Sequence, residues 1–137
     1  MTKRFYAKGA ELVLTKQIDF VGDTIKVHLV KSAYTPNYDT HDFRDDLGAN
    51  IVATVTLASK TATGGVFDAA DIVFSAVAAG NTCNAAVFSK EGGTDATSPL
   101  LIYIDSADIT NLPVTTSGGD VNMAWASTAY KIFSLVP

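Results

Sequence analysis

From residue 50 onward, the chain is built of short segments in which apolar and polar side chains alternate. Clusters of Gly, Asn, Asp and Ser separate them roughly every 10 residues, and the segments are IVATVTLA, TATGGVFD, DIVFSAV, TCNAAVFSK, LLIYIDSA, VNMAWAS and YKIFSLV. A period of two is typical of strands with one buried face, and the long helical periods of parallel βαβ units are absent. This region predicts a mainly β fold, an antiparallel β-sandwich.

The first 49 residues predict a short N-terminal helix, one strand and a long front loop. The letters FYAKGAELVLTK suit either a helix or an alternating strand, and we favour a helix over residues 6–16. Gly22 and Asp23 predict a tight turn before the alternating strand IKVHLVKS. The front loop covers residues 33–49 and begins with a turn at 34–37, because proline and asparagine both favour turns.

The composition indicates a single domain that associates with partners. A chain of 137 residues is long enough for one sizeable core and short for two, so we treat residues 1–137 as one domain. The Gly-rich stretches 91–98 and 116–120 are short enough to be hairpin tips. Only 18% of the residues are charged and 47% are hydrophobic, which leaves a surface poor in charge. Such a surface favours association, so we expect a subunit of an assembly.

Charge and hydropathy argue against several classes of partner. The formal net charge is −4 and the Lys and Arg residues are scattered, whereas phosphate binding needs them clustered. No run approaches the roughly 20 apolar residues of a membrane span. Charged residues also interrupt the N-terminal apolar segment that a secretory signal would require. The single cysteine, Cys83, can form no internal disulfide, so we expect it to pack in a strand. We expect synthesis in a reducing cytoplasm, with no nucleic acid, membrane or cofactor as partner.

An acidic segment in the front loop is the polar cluster most suited to a metal. It consists of Asp39, His41, Asp42, Asp45 and Asp46. Hard cations bind clustered carboxylates, but the spacing is not that of an EF-hand, and zinc would lack further His or Cys ligands. The alternative is a solvated helical turn through DFRDDL, capped by Asp39 or Thr40 and ended by Gly48. We favour this second interpretation and expect no metal.

No residues are arranged for catalysis in the sequence. His28 lies in mid-strand, and a general base needs a nucleophile or an orienting carboxylate that the sequence does not specify beside it. The serines occur in no G-x-S-x-G turn, and the glycine pairs match neither the dinucleotide fingerprint nor the P-loop. We expect His28 to be a structural or interface histidine, and we expect no enzyme.

The aromatic residues separate into a core set and an interface set. The core set falls on predicted strands and comprises Phe74, Phe88, Tyr103, Trp125 and Phe133. A sugar-stacking platform is the alternative role for these rings. Tyr34, Tyr38 and Phe43 lie instead in the front loop, where aromatic side chains commonly contact partners. We predict a partner interface at these three residues, with Pro36 stiffening the loop that presents them.

Several stretches of the chain resemble small virion structural proteins of tailed bacteriophages. In the front half the similar residues are the strand DTIKV at 23–27, the loop YTPN at 34–37 and THDF at 40–43. In the second half, KTATGGVFDAADIVFSAV, SKEGGTDATSPLLIYID and GGDVNMAWASTAYKIFSL are similar to that family. The letters SKEGG depart from it, because the family has an aromatic residue followed by KDTG. The resemblance covers nearly the whole chain.

The resemblance implies a particle component and leaves its location within the particle open. The first hypothesis is a capsid decoration, or cement, protein that binds the major capsid protein on the outer shell surface and stabilises the shell. It implies a location on the virion after synthesis in the host bacterial cytoplasm, and self-association as a trimer at threefold positions. The second hypothesis is a tail or tail-tip component. A third, from another class, is a carbohydrate- or receptor-binding β-sandwich module that uses exposed aromatic side chains.

Overall fold

The structure is a computed structural model that describes residues 3–106, 109–127 and 131–136. In these ranges one α-helix, α1, spans Ala7–Leu14, and 3₁₀ helices span Arg44–Asn50 and Asp95–Thr97. The strands are β1 Lys3–Phe5, β2 Ile25–Lys31, β3 Ile51–Thr56, β4 Thr61–Thr63, β5 Val66–Asp68, β6 Ile72–Phe74, β7 Thr82–Lys90, β8 Leu100–Asp105, β9 Val114–Thr115, β10 Val121–Met123 and β11 Phe133–Ser134. Ala107 and Tyr130, at the ends of two predicted strands, lie outside the described residues.

The large sheet has the strand order β1-β8-β7-β2-β3, and every neighbouring pair in it is antiparallel. β9 pairs with the start of β7. Two smaller antiparallel sheets have the orders β10-β6 and β11-β5-β4. The prediction of a mainly β, antiparallel fold with a short N-terminal helix is therefore confirmed.

One face of the large sheet forms the main hydrophobic core. Ile25, Val27 and Leu29 alternate along β2 and are fully buried, as a strand with a period of two predicts. Residues of the smaller sheets belong to the same core, and they include Phe67, Ile72, Phe74, Val121 and Met123. The large sheet and the two smaller sheets thus enclose one core between them, which is the sandwich arrangement that the strand pattern predicts.

The front loop covers the opposite face of the large sheet. The chain enters the loop through a turn in which the Tyr34 N–H donates to the Lys31 carbonyl. A second buried cluster forms beneath the loop and comprises Tyr6, Val30, Tyr34, Leu47, Ala85, Val87 and Leu100. Because of this cover, β2 is buried on both faces, whereas its alternation predicts only one buried face.

Helix α1 is shorter than the predicted residues 6–16 and packs against β8. Leu12 is buried in the main core. Gly9 permits the close approach, because a Cβ at this position would lie 2.6 Å from the Leu101 carbonyl oxygen. Gly9 weakens the helical pattern in the sequence, and the packing of helix on sheet requires it.

The turns that the sequence predicts have mixed outcomes. Gly64 and Gly65 connect β4 to β5, with φ values of 62° and 79° that favour glycine. Residues 91–98 connect the antiparallel pair β7 and β8, as predicted. Residues 116–120 are not a hairpin tip, because β9 pairs with β7 whereas β10 pairs with β6. Gly48 interrupts the helical turn after the acidic segment, where its φ is 55°.

Candidate functional site

Tyr34, one of the four predicted interface residues, is buried. Only 6% of the residue's surface is accessible. Its hydroxyl lies 2.8 Å from the Tyr6 hydroxyl and 2.9 Å from Nδ1 of His41. The front loop folds back over the large sheet, so an aromatic side chain from a loop joins the second core. In this conformation the ring presents almost no surface to a partner.

The other three predicted interface residues are half-buried. The Arg4 guanidinium lies 4.2 Å from the ring centre of Tyr38, which is a cation–π contact. The Lys8 ammonium lies 5.8 Å from the ring centre of Phe43. Pro36 keeps part of its ring exposed. The role of these three residues and Tyr34 as a partner interface stays a prediction.

Burial raises the pKa values of the tyrosine cluster and of the cysteine. It raises the pKa of Tyr34 to about 12, and it raises the pKa of Tyr6 further. Cys83 is buried in β7, as expected, and burial raises the pKa of its thiol. These groups are neutral at pH 7, so their hydrogen bonds and packing stabilise the fold rather than supply a nucleophile.

A polar groove lies on the outer face of the large sheet, beside β3. Its volume is about 420 Å³, and its lining residues are Lys26, His28, Arg44, Gly48, Ile51, Thr54 and Asp95. Strands β2 and β3 supply its floor, and the two 3₁₀ helices supply its walls. We refer to these seven residues as the polar groove.

His28 is buried at the floor of the polar groove, and both ring nitrogens are hydrogen-bonded. Nδ1 lies 2.8 Å from the Thr54 hydroxyl, and Nε2 lies 2.8 Å from the Ser89 hydroxyl. Burial, reinforced by the positive charges of Arg44 and Lys26, lowers the pKa of His28 to about 4. The neutral ring is held by two hydroxyls instead of an orienting carboxylate, which is the geometry of a structural histidine.

The charged groups of the polar groove neutralise one another through Glu91. Oε2 of Glu91 lies 2.6 Å from Lys26 Nζ and 3.2 Å from Arg44 Nη1, and Arg44 Nε donates to Asp95 at 2.6 Å. The hydrogen bond from Lys26 is the main cause that lowers the pKa of Glu91 to about 2. Two cations therefore face two carboxylates, and the network ties the front loop to the connection after β7.

The acidic segment begins the first 3₁₀ helix. Asp46 accepts hydrogen bonds from the backbone N–H groups of Asp42 and Phe43. Phe43 is the N-cap, so the prediction of Asp39 or Thr40 as the cap is wrong. Within the described ranges, no group of three or more His, Cys, Asp or Glu side chains is placed to hold a metal ion. The Asp46 carboxylate therefore satisfies two local backbone N–H groups.

The aromatic residues predicted for the core are buried, with one exception. The buried rings are Phe74, Phe88, Trp125 and Phe133, each at most 7% exposed. Tyr103 is half-buried at the margin of the second cluster. The Trp125 ring lies 5.4 Å from that of Phe88, and its Nε1 donates to a backbone carbonyl at 3.0 Å. These buried rings are core residues and offer no face on which a sugar could stack.

An apolar surface at one end of the molecule was not predicted from the sequence. A groove of about 150 Å³ lies between the end of α1 and the sheet β11-β5-β4, and its lining residues are Val13, Ile18, Phe20, Ala62, Gly65, Val66, Phe67, Phe133 and Leu135. Leu135 is 65% exposed, and the adjacent Val136 is 52% exposed. We call this groove, together with Val136, the apolar patch. The available signal was the apolar run IFSLV, which continues beyond the two residues of β11.

Comparison of the chain with protein-family models, with curated proteins and with solved structures gave no match. The longest helix in the described ranges is α1, and none of the helices there is long and apolar enough to cross a bilayer.

Proposed function

We propose that this chain is a virion structural protein of a tailed bacteriophage and that it decorates the outer surface of the capsid shell. The observation that carries the proposal is the apolar patch, where Leu135 and Val136 are exposed beside an open groove. Leucine and valine side chains exposed beside a groove gain free energy when a partner protein covers them. The sequence resemblance to virion proteins suggests the partner, which is the major capsid protein.

An interface of standard size would hold each copy on the shell. Such an interface buries roughly 800 Å² on each partner, and apolar area contributes about 25 cal/mol per Å². Losses of translational freedom and side-chain entropy reduce the net gain far below that product. A symmetric shell repeats the contact many times, and a protein that binds only the assembled shell stabilises that state.

The interior of the molecule suits a binding role. β2 is buried on both faces, His28 is held by two hydroxyls, and the charges around Glu91 are balanced. Polar groups that satisfy one another in this way rigidify a fold. A rigid surface loses little entropy on binding, which favours a subunit that associates with its own copies and with the shell.

Two leucine variants test the apolar patch on capsids that lack the protein. Leu135→Asp places a charge in the patch, and Leu14→Asp places the same charge on a leucine that is 84% exposed and does not line the groove. Both side chains are exposed, so we expect both variants to fold with unchanged thermal unfolding. We expect only Leu135→Asp to lose binding to the capsids, because a carboxylate would have to be desolvated in the interface. Equal binding by the two variants would remove the apolar patch from the proposal.

Labelling of whole particles tests the location. Immunogold particles on the outer shell are the expected result for a decoration protein, and label on the tail or its tip would identify a tail component instead. Capsids without the protein should also lose heat resistance, because bound copies stabilise the assembled state. Equal heat resistance with and without the protein would contradict the cement role.

A further inference from the structure

We propose that the polar groove binds a small molecule through an oxyanion group, a phosphate or a carboxylate, held between Lys26 and Arg44. Both of these side chains line the groove, whereas Glu91 does not. The two cationic groups are neighbours, because Lys26 Nζ and Arg44 Nη1 lie 2.6 Å and 3.2 Å from the same oxygen of Glu91, Oε2. They are therefore close enough for one oxyanion to bridge them.

The two cations keep hydrogen-bond donors that the protein does not use. A lysine ammonium has three N–H donors, and an arginine guanidinium has five. In the part of the chain that the structure describes, the Lys26 ammonium contacts Glu91. Arg44 donates through Nε to Asp95 and through Nη1 to Glu91. The remaining donors of both side chains have no acceptor among these residues. Such charged donors form their strongest hydrogen bonds with phosphate and carboxylate oxygens.

The positive charge of the groove is only partly compensated at its floor. The charged lining residues are two cations, Lys26 and Arg44, and one carboxylate, Asp95. The Asp95 side chain is 64% exposed, whereas that of Arg44 is 11% exposed, so water screens the carboxylate more strongly. Both cations also change the pKa of His28, at the floor, more than either carboxylate of the network does. The floor of the groove therefore favours a negative charge.

The volume and the lining of the groove define the class of ligand. Its volume of about 420 Å³ lies within the range of roughly 300–1,000 Å³ that small-molecule sites occupy. Apart from Gly48 and Ile51, every lining residue has a polar side chain, and the exposed Thr54 adds a hydroxyl. An apolar ligand would remove water from these polar groups without replacing its hydrogen bonds. A small polar molecule that carries an oxyanion satisfies both requirements.

A two-dimensional amide NMR titration of the free protein with sodium phosphate tests the site, with sodium chloride at equal ionic strength as the reference. We expect saturable shifts in phosphate at Lys26, Thr54 and Asp95 and only small linear shifts in chloride. A parallel titration with sodium acetate assigns the ligand group: saturation by both anions admits phosphates and carboxylates, and saturation by one of them selects that group. Absence of saturable shifts at these residues with either anion would overturn the proposal. The experiment needs no capsid, so its outcome is independent of the proposed function.

A matched pair of lysine variants tests the contribution of the groove cations. Lys26→Gln removes a lining charge, and Lys31→Gln removes the same charge at the end of β2, outside the groove. We expect Lys26→Gln to weaken phosphate binding by about tenfold or more, because it removes a charge-assisted hydrogen bond. Lys31→Gln should change the dissociation constant by less than about twofold. Equal dissociation constants for the two variants would contradict the proposal.

A substitution of Asp95 tests the sign of the charge in the groove. Asp95→Asn keeps an oxygen that can accept from Arg44 Nε and removes the negative charge from the lining. We expect phosphate binding to tighten by about threefold. Asp39→Asn changes an exposed aspartate outside the groove and should leave binding unchanged. Circular dichroism checks that each variant is folded at the temperature of the titration. Unchanged or weaker binding by Asp95→Asn would contradict an oxyanion in the groove.

Discussion

Acid should destabilise this protein through His28 before most carboxylates are protonated. The residue is 1% exposed, and its pKa falls from 6.5 to about 4 because burial and the charges of Arg44 and Lys26 oppose a proton. The unfolded chain binds that proton below pH 6.5, whereas the folded chain does not. The free energy of unfolding therefore decreases as the pH falls from 6.5 to about 4, and below this range both states carry the proton.

The size of the effect follows from the width of that range. One pKa unit corresponds to about 1.4 kcal/mol, so the whole range removes about 3 kcal/mol, of which roughly 2 kcal/mol is lost by pH 5. Glu91 acts at lower pH, because its pKa is lowered from 4.5 to about 2. The stability contributed by Glu91 is present above 4.5 and is lost as the pH falls through that range. A comparison of pH 7 with pH 5 therefore separates the effect of His28 from that of Glu91.

Urea unfolding at pH 7 and at pH 5, followed by tryptophan fluorescence, measures this difference. Trp125 is the only tryptophan and is 7% exposed, so its emission should report unfolding. We expect the natural sequence to lose about 2 kcal/mol between the two pH values and His28→Gln to lose less than about half of that. His41→Gln, which replaces the other histidine of the chain, is the matched substitution control. An undiminished pH difference in His28→Gln would refute the reasoning.

Two further predictions concern packing. Gly9→Ala should lower the free energy of unfolding by about 1–2 kcal/mol, because the added Cβ would lie 2.6 Å from the Leu101 carbonyl oxygen. This loss should occur although alanine favours helices. Thermal unfolding measures the change, and a variant more stable than the natural sequence would contradict the prediction. Tyr34→Phe should cost about 1–2 kcal/mol, because it leaves the buried Tyr6 hydroxyl without its partner at 2.8 Å. In a double-mutant cycle, adding Tyr6→Phe to Tyr34→Phe should cost little more, and strictly additive losses would show that the two hydroxyls are not coupled.

The strands were the part of the fold that the sequence predicted well, because alternation is a local property. β7 and β8 are both continuous and lie within their predicted segments, and the connection between them closes a hairpin as expected. The pairing between strands that are distant in the sequence has no comparable local pattern. Residues 116–120 have the composition of a hairpin tip, yet the strands on either side pair with different sheets. The composition predicted a turn there, but it could not show which strands pair with β9 and β10.

The front loop shows why the burial of Tyr34 was not predicted from the sequence. Tyr34 follows a strand and precedes a proline, so its surroundings in the sequence are those of an exposed loop. Its burial depends on contacts with Tyr6, which is 28 residues away, and with the second core. Gly9 presents the opposite case, because a residue that weakens a helix locally is required by the distant strand β8. Long-range packing overrides local preference at both positions.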